Sequence, residues 1–120
     1  MSTDTSRALG LSWLDAFNAK DLEALLALYA DDCTHHSPKL RVQQPHTKGE
    51  VKGKAALRAW WAGAFERLPS LRYEGFAVTA SEDRVVLEYW RHAPGEEAMP
   101  VAESFEVKGG RIVTSRVYHG

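Results

Sequence analysis

The chain lacks most of the features that mark secreted, membrane-spanning and nucleic-acid-binding proteins. Cys33 is its only cysteine, so no disulfide can form within the chain. Its apolar runs are far shorter than the roughly 20 residues of a membrane-spanning helix, and the N-terminal stretch MSTDTSRALG has no apolar signal region. The net charge of −1 excludes the strongly basic footprint of a nucleic-acid-binding protein. We therefore predict a cytoplasmic protein whose partners include neither membranes nor nucleic acid.

The sequence does contain enough apolar material for one domain. Of its 120 residues, 44% are apolar and 26% are charged, which is typical of globular proteins. A chain of this length buries roughly two-thirds of its unfolded surface, so it needs no metal or disulfide to hold a core. Because no repeat, low-complexity segment or linker interrupts it, we expect residues 1–120 to form a single domain.

The spacing of apolar residues changes from a helical period to a strand period along the chain. Helical spacing is found in residues 6–19, in a segment from Asp21 to Asp31 and Asp32, and in residues 53–68. Strand alternation follows in residues 72–80, 84–93, 99–107 and 111–118. Residues 33–37 form a further strand candidate that Pro38 ends, and residues 38–52 are expected to be a long loop. Helices followed by antiparallel strands predict an α+β fold.

This order of elements resembles the nuclear transport factor 2-like superfamily, and in particular its SnoaL-like members. Three segments carry the resemblance: DLEALLALYADDCTHHSP (21–38), GEVKGKAALRAWW (49–61) and FEVKGGRIVTSRVYH (105–119). The superfamily includes ketosteroid isomerases, polyketide cyclases and limonene-epoxide hydrolases. The resemblance implies a cone-shaped α+β barrel, in which three helices of the N-terminal half pack on a curved, mostly antiparallel sheet around an internal pocket. It also implies a homodimer.

The isomerase site, transferred onto this chain by the resemblance, changes its chemical type. The general-base Asp falls on Ser37, the oxyanion-hole Tyr on Trp13, and the protonated oxyanion-hole Asp on Glu103. A serine without a partner base is a poor proton acceptor at neutral pH, and an indole N–H donates a hydrogen bond but does not transfer a proton as a phenol does. The resemblance therefore supports the fold and argues against steroid isomerisation by that mechanism.

Two side chains remain as candidates for catalysis. Glu103 lies in the middle of an otherwise apolar strand face, where desolvation should raise its carboxyl pKa and suit it to acid–base chemistry. His35 shares a strand face with Ser37 and could act as a base near pH 7. Structural roles stay open for both, and an ion pair with Arg91 would instead keep Glu103 ionised.

The remaining predictions concern the ligand. Five side chains are expected to line the pocket and bind substrate: Trp13, Tyr29, Ser37, Trp61 and Tyr89. No spacing of the five histidines matches a zinc site, so we predict no metal and no cofactor. The predicted function is binding of a small apolar organic molecule, with acid–base chemistry of the isomerase, cyclase or hydrolase type. The alternative is a non-catalytic ligand-binding or dimerisation module.

Overall fold

The computed structural model describes residues 3–120, which form helices in the first half and a six-stranded sheet. The elements are α1 (Thr3–Asn18), α2 (Leu22–Ala27), β1 (Tyr29–His36), α3 (Pro38–Gln43), a 3-10 turn (Pro45–Thr47), β2 (Glu50–Lys52), α4 (Lys54–Arg67), β3 (Arg72–Ala80), β4 (Arg84–His92), β5 (Met99–Lys108) and β6 (Arg111–His119). The predicted α+β class is confirmed. No helix among the described residues combines the length and the apolar character that crossing a membrane requires.

The sheet is curved and does not close into a complete barrel. Its strands lie in the order β2-β1-β6-β5-β4-β3, so β2 and β3 form its two edges. Neighbouring strands are antiparallel, except that β1 and β6 run parallel with His35 opposite Ser115. Register shifts place extra residues in β1, β3 and β6, which indicates bulges that bend a strand and increase its twist. The predicted curved, mostly antiparallel sheet is therefore confirmed.

Helix α1 packs against β3 and β4, and α4 packs against β1 and β2. Gly10 permits the close approach of α1 to the sheet, because a Cβ atom there would lie 2.7 Å from Cγ1 of Val85. Beyond this contact, aromatic rings fill the space between α1 and the sheet. The ring centroids of Phe17 and Tyr73 are 4.0 Å apart, and those of Trp13 and Phe105 are 5.3 Å apart. A layer of packed aromatic rings therefore fills the space between α1 and the sheet.

Strand alternation assigns the sheet faces as the sequence predicts. The buried face of β5 comprises Val101, Glu103, Phe105 and Val107, and the buried face of β4 comprises Val85, Leu87, Tyr89 and Arg91. The sequence alone left open which face of β4 points inward. The structure decides this, because the register pairs Leu87 with Glu103 and so places both side chains on the same side of the sheet.

The boundary between α2 and β1 differs from the prediction. The helix ends at Ala27, and Tyr29 begins the strand instead of belonging to the helix. Asp31 and Asp32 do not end the helix, because they lie within β1 where its register against β6 shifts between Tyr29 and Thr34. Pairing with a distant strand overrides the local helical spacing here, which is a common outcome when tertiary contacts oppose weak propensities.

The predicted loop over residues 38–52 is wrong, because this segment contains α3, the 3-10 turn and β2. Pro38 occupies the first turn of α3, where its fixed φ suits a helix start. The Ser37 hydroxyl accepts a hydrogen bond from the backbone N–H of Lys39 and so caps α3. Strand β2 is too short to be detected by alternation, and it forms by pairing Val51 with His35 of β1.

Candidate functional site

A cavity of about 280 Å³ opens between α3, α4 and the inner face of the sheet. Its size is near the lower end of small-molecule sites, which are roughly 300–1,000 Å³. It is larger than the roughly 150 Å³ cavity that holds benzene in an engineered protein core. Aromatic and aliphatic side chains form most of its wall: Trp60, Trp61, Ala64, Leu68, Leu71, Tyr73, Tyr89, Val101 and Val117. Its shape and lining suit a small molecule with an apolar body.

Three of the predicted substrate-binding residues line this cavity: Ser37, Trp61 and Tyr89. Ser37 is engaged in capping α3, and its position at the helix start explains why a hydroxyl stands there. Trp61 has a buried indole N–H with no hydrogen-bond partner among residues 3–120. A buried donor without a partner costs free energy, and this N–H is shielded from solvent although Trp61 lines the cavity.

The other predicted site residues, Trp13, Tyr29, His35 and Glu103, do not line the cavity and are almost completely buried. With Tyr89 and Ser115 they form what we call the inner polar cluster. The Trp13 indole N–H donates to the Tyr29 hydroxyl over 3.0 Å. The Tyr29 hydroxyl in turn donates to Oγ of Ser115 over 3.5 Å, and Nδ1 of His35 lies 2.6 Å from the same Oγ. Four of the residues predicted from the sequence therefore belong to one buried cluster, which lies in the core and not at the cavity wall.

Glu103 is linked to the cavity through Tyr89. The Tyr89 hydroxyl donates to Oε1 of Glu103 over 3.0 Å, whereas Oε2 has no partner in the described part of the chain. Burial raises the pKa of Glu103 from 4.5 to about 8, and the bond from Tyr89 opposes this shift. The carboxyl group is therefore mainly protonated at pH 7. Arg91 does not ionise it, because the Arg91 guanidinium pairs with Glu96.

His35 is neutral in this environment. Burial lowers its pKa from 6.5 to about 3, with a smaller contribution from the neighbouring His36. An imidazole with such a pKa is a much weaker base than the histidine near pH 7 that the sequence suggested. Its Nε2 finds no hydrogen-bond partner within residues 3–120. The geometry supports a hydrogen bond between His35 and Ser115. Within the described residues, no group is placed to exchange a proton with Nε2 of His35.

Charged side chains surround the open end of the cavity, and sequence reasoning missed most of them. We call this group the rim cluster: Lys39, Arg67, Arg91, Glu96 and His119. Nη1 of Arg91 donates to Oε1 of Glu96 over 2.8 Å, which lowers the Glu96 pKa. The Arg67 guanidinium lies 5.6 Å from the centre of the Trp60 ring, within cation–π range. These residues come from α3, α4, β4, β6 and the turn after β4, so their proximity has no local sequence signal.

Metal ligands do not converge on the site. No group of three or more His, Cys, Asp or Glu side chains within residues 3–120 is arranged to hold a metal ion. Cys33 is a buried free thiol, and burial raises its pKa, which keeps it in the unreactive thiol form. A ligand in the cavity therefore meets aromatic rings, among them that of Tyr89, and the charged groups of the rim.

Comparison with known proteins gives this geometry a family. The SnoaL-like domain model matches residues 11–115. A SnoaL-like protein of unknown function from Burkholderia thailandensis is 28% identical, with a TM-score of 0.89 over 99% of this chain and 97% of that one. An NTF2-like protein of unknown function from Cytophaga hutchinsonii is 17% identical, with a TM-score of 0.75 over 96% of this chain and 89% of that one.

Neighbours with provisional enzyme names share the fold. A protein from Kribbella flavida, provisionally named a ketosteroid isomerase, is 18% identical, with a TM-score of 0.80 over 98% of this chain and 79% of that one. No curated protein matches the chain. At such identities the likeness shows a shared fold, while the family follows from the domain match itself. The chain therefore belongs to the SnoaL-like domain family, as the order of its helices and strands suggested.

Proposed function

We propose that this protein binds a small organic molecule with a mainly apolar body in the cavity between α4 and the sheet. The observation that carries the proposal is the preformed cavity of about 280 Å³ with its aromatic and aliphatic wall. Apolar cavities with a few directed polar groups are the usual form of small-molecule sites. Here the polar groups are the Tyr89 side chain and the charged side chains of the rim.

A cavity-filling substitution tests this proposal directly. Ala64 lines the cavity from α4, and Ala64→Phe should occupy much of the space. We expect calorimetric binding of naphthamide, a neutral two-ring amide, to weaken at least tenfold. Ala59→Phe makes the same change at an exposed position of the same helix and should leave binding unchanged. Binding that survives Ala64→Phe would place the ligand elsewhere and contradict the proposal.

Acid–base catalysis is a second candidate function, and Tyr89 is the observation that favours it. Tyr89 faces the cavity while its hydroxyl contacts the buried carboxyl group of Glu103. A protonated Glu103 carboxyl can turn its O–H toward the Tyr89 oxygen, so that the phenol gives its own proton to a ligand oxygen and takes the carboxyl proton in exchange. The candidate requires Glu103 to hold its proton at pH 7. A carbon NMR titration of its carboxyl carbon measures this, and a midpoint near 4.5 would exclude the acid role.

We also propose that the protein forms a homodimer through the outer face of the sheet. Phe76, Trp90 and Tyr118 are 53%, 40% and 54% exposed, and the rings of Phe76 and Trp90 lie 6.0 Å apart. Aromatic residues are enriched at protein interfaces. Light scattering should report twice the chain mass for the wild type and one chain mass for Trp90→Lys.

The proposal includes a cytoplasmic location. A buried free thiol at Cys33 is compatible with such a reducing compartment.

A further inference from the structure

We infer that the ligand of this cavity is an organic anion, whose apolar body lies against Trp60 and Trp61 and whose acidic group binds Arg91 and Lys39 at the rim. The inference rests on the proposed function, since it specifies the class of molecule that the same cavity binds. It adds a charge requirement that neither the family match nor the apolar wall contains.

The rim carries a charge opposite to that of the whole chain. Lys39, Arg67 and Arg91 line the cavity with three cationic groups, against one carboxylate, Glu96, among its lining residues. The chain as a whole has a net charge of −1. The same cations act on His119, whose pKa is lowered first by burial and then by the positive charges of Lys39 and Arg91. The described part of the rim is therefore an electropositive opening above an apolar interior, which attracts anions.

Arg91 is the central residue of this opening. Its side chain is only 8% exposed, because β4 holds it on the inner face two residues from Tyr89. Arginine remains protonated in proteins, and a buried guanidinium requires an anionic partner. The nearest inner carboxyl group, Glu103, is protonated near neutral pH and bonds to Tyr89. It does not supply the negative charge.

Glu96, whose side chain is partly exposed to solvent, supplies the negative charge that Arg91 requires. It lies in the turn between β4 and β5, and its side chain is 45% exposed. Within residues 3–120 its bond to Arg91 uses Nη1, whereas a guanidinium carries five N–H donors and can bind a carboxylate at two of them. The acidic group of a ligand can readily displace an exposed carboxylate on a turn, or bind beside it. Glu96 thus occupies the place where the acidic group of a ligand would bind, and competes with it.

Two probes of equal size separate charge recognition from cavity binding. Naphthoate and naphthamide share a two-ring body and differ in the charge of the terminal group. Calorimetry at pH 7 should show wild-type protein binding naphthoate roughly tenfold or more tightly than naphthamide, as expected for a charge-assisted hydrogen bond. In Arg91→Gln this preference should fall to about threefold or less, because naphthoate binding should weaken much more than naphthamide binding.

Two control variants sharpen the test. Glu96→Gln removes the internal competitor, so it should strengthen naphthoate binding several-fold and strengthen naphthamide binding much less. Arg84→Gln removes a charge of the same sign from an exposed pair with Glu106, and should change neither affinity. Equal binding of both probes to wild type, unaffected by Arg91→Gln, would overturn the anion inference and leave the cavity proposal intact. If neither probe binds, the proposed function fails and this inference fails with it.

Discussion

The rim cluster lines the cavity, the inner polar cluster reaches it through Tyr89, and the two clusters differ in ionisation. The inner cluster contains a carboxyl group and an imidazole, and burial keeps both neutral at pH 7. The rim cluster contains Arg91 and Glu96, which form an ion pair. Tyr89 belongs to the inner cluster and also lines the cavity, so it connects the two regions.

The difference teaches that depth, more than residue type, decides what each group can do. Glu96 and Glu103 have the same side chain, but the hydrogen bond and charge of Arg91 lower the pKa of the first while desolvation raises that of the second. A neutral buried acid suits hydrogen bonding or proton donation, whereas an ionised rim suits recognition of a charged group. Under the proposed function, chemistry would belong to the interior of the cone and recognition to its opening.

The largest expected effect is on the free energy of unfolding, and it should differ between the packed interior and the wall of the cavity. Trp13 is fully buried and packs against Phe17 and Phe105, so Trp13→Ala should lower the free energy of unfolding by about 3–5 kcal/mol. Trp60 already faces the cavity, and Trp60→Ala should cost less, roughly 1–3 kcal/mol, because fewer contacts are lost. Urea unfolding of both variants measures this order. Equal losses would show that the cavity wall is packed as tightly as the interior.

A smaller effect concerns the protonation of Glu103. Because burial raises its pKa from 4.5 to about 8, unfolding releases its proton between these two values. Its contribution to stability is fully present below pH 4.5 and is lost by about pH 8, at about 1.4 kcal/mol per pH unit. Relative to the wild type, Glu103→Gln should therefore gain roughly 2–3 kcal/mol of stability between pH 5 and pH 7. Urea unfolding across this range measures the difference, and a constant value would mean that Glu103 is ionised like Glu96.

His35 should give a somewhat smaller effect with the opposite dependence on pH. Its folded pKa of about 3 is below the ordinary value of 6.5, so its contribution to stability is present above pH 6.5 and is lost as the pH falls toward 3. Asn can replace the Nδ1 bond to Ser115 without titrating. Between pH 7 and pH 5, wild type should lose roughly 2 kcal/mol relative to His35→Asn. The same unfolding series tests this, and parallel curves would indicate that His35 is accessible to solvent when folded.

Much of the fold could be predicted from sequence because periodicity reports burial. The alternation in β5 placed Glu103 among apolar residues on one face and predicted that desolvation there would raise its pKa; the structure shows that this face is buried and that burial raises the Glu103 pKa. The segment over residues 38–52 was missed because α3 and β2 are short. Helix α3 has six residues and β2 has three, so neither contains enough periods for a pattern.

The candidate site was only partly predictable, since residues that share a strand face need not share a cavity. Trp13, Tyr29 and Glu103 face inward as expected, yet helix and sheet pack so closely around them that the open space lies elsewhere, against α4. The rim cluster was missed for a different reason. Lys39, Arg91 and His119 are each unremarkable in sequence, and they become a site when α3, β4 and β6 end at the same opening.

By itself, the sequence determined the α+β class and which side chains of each strand share a face. These are consequences of local spacing, because a side chain's direction along a helix or strand follows from its position. Only the tertiary structure decided which buried groups adjoin open space, that Arg91 pairs with Glu96, and that Glu103 bonds to Tyr89. These depend on strand pairing and helix packing between distant segments, which determine distance, desolvation and therefore charge.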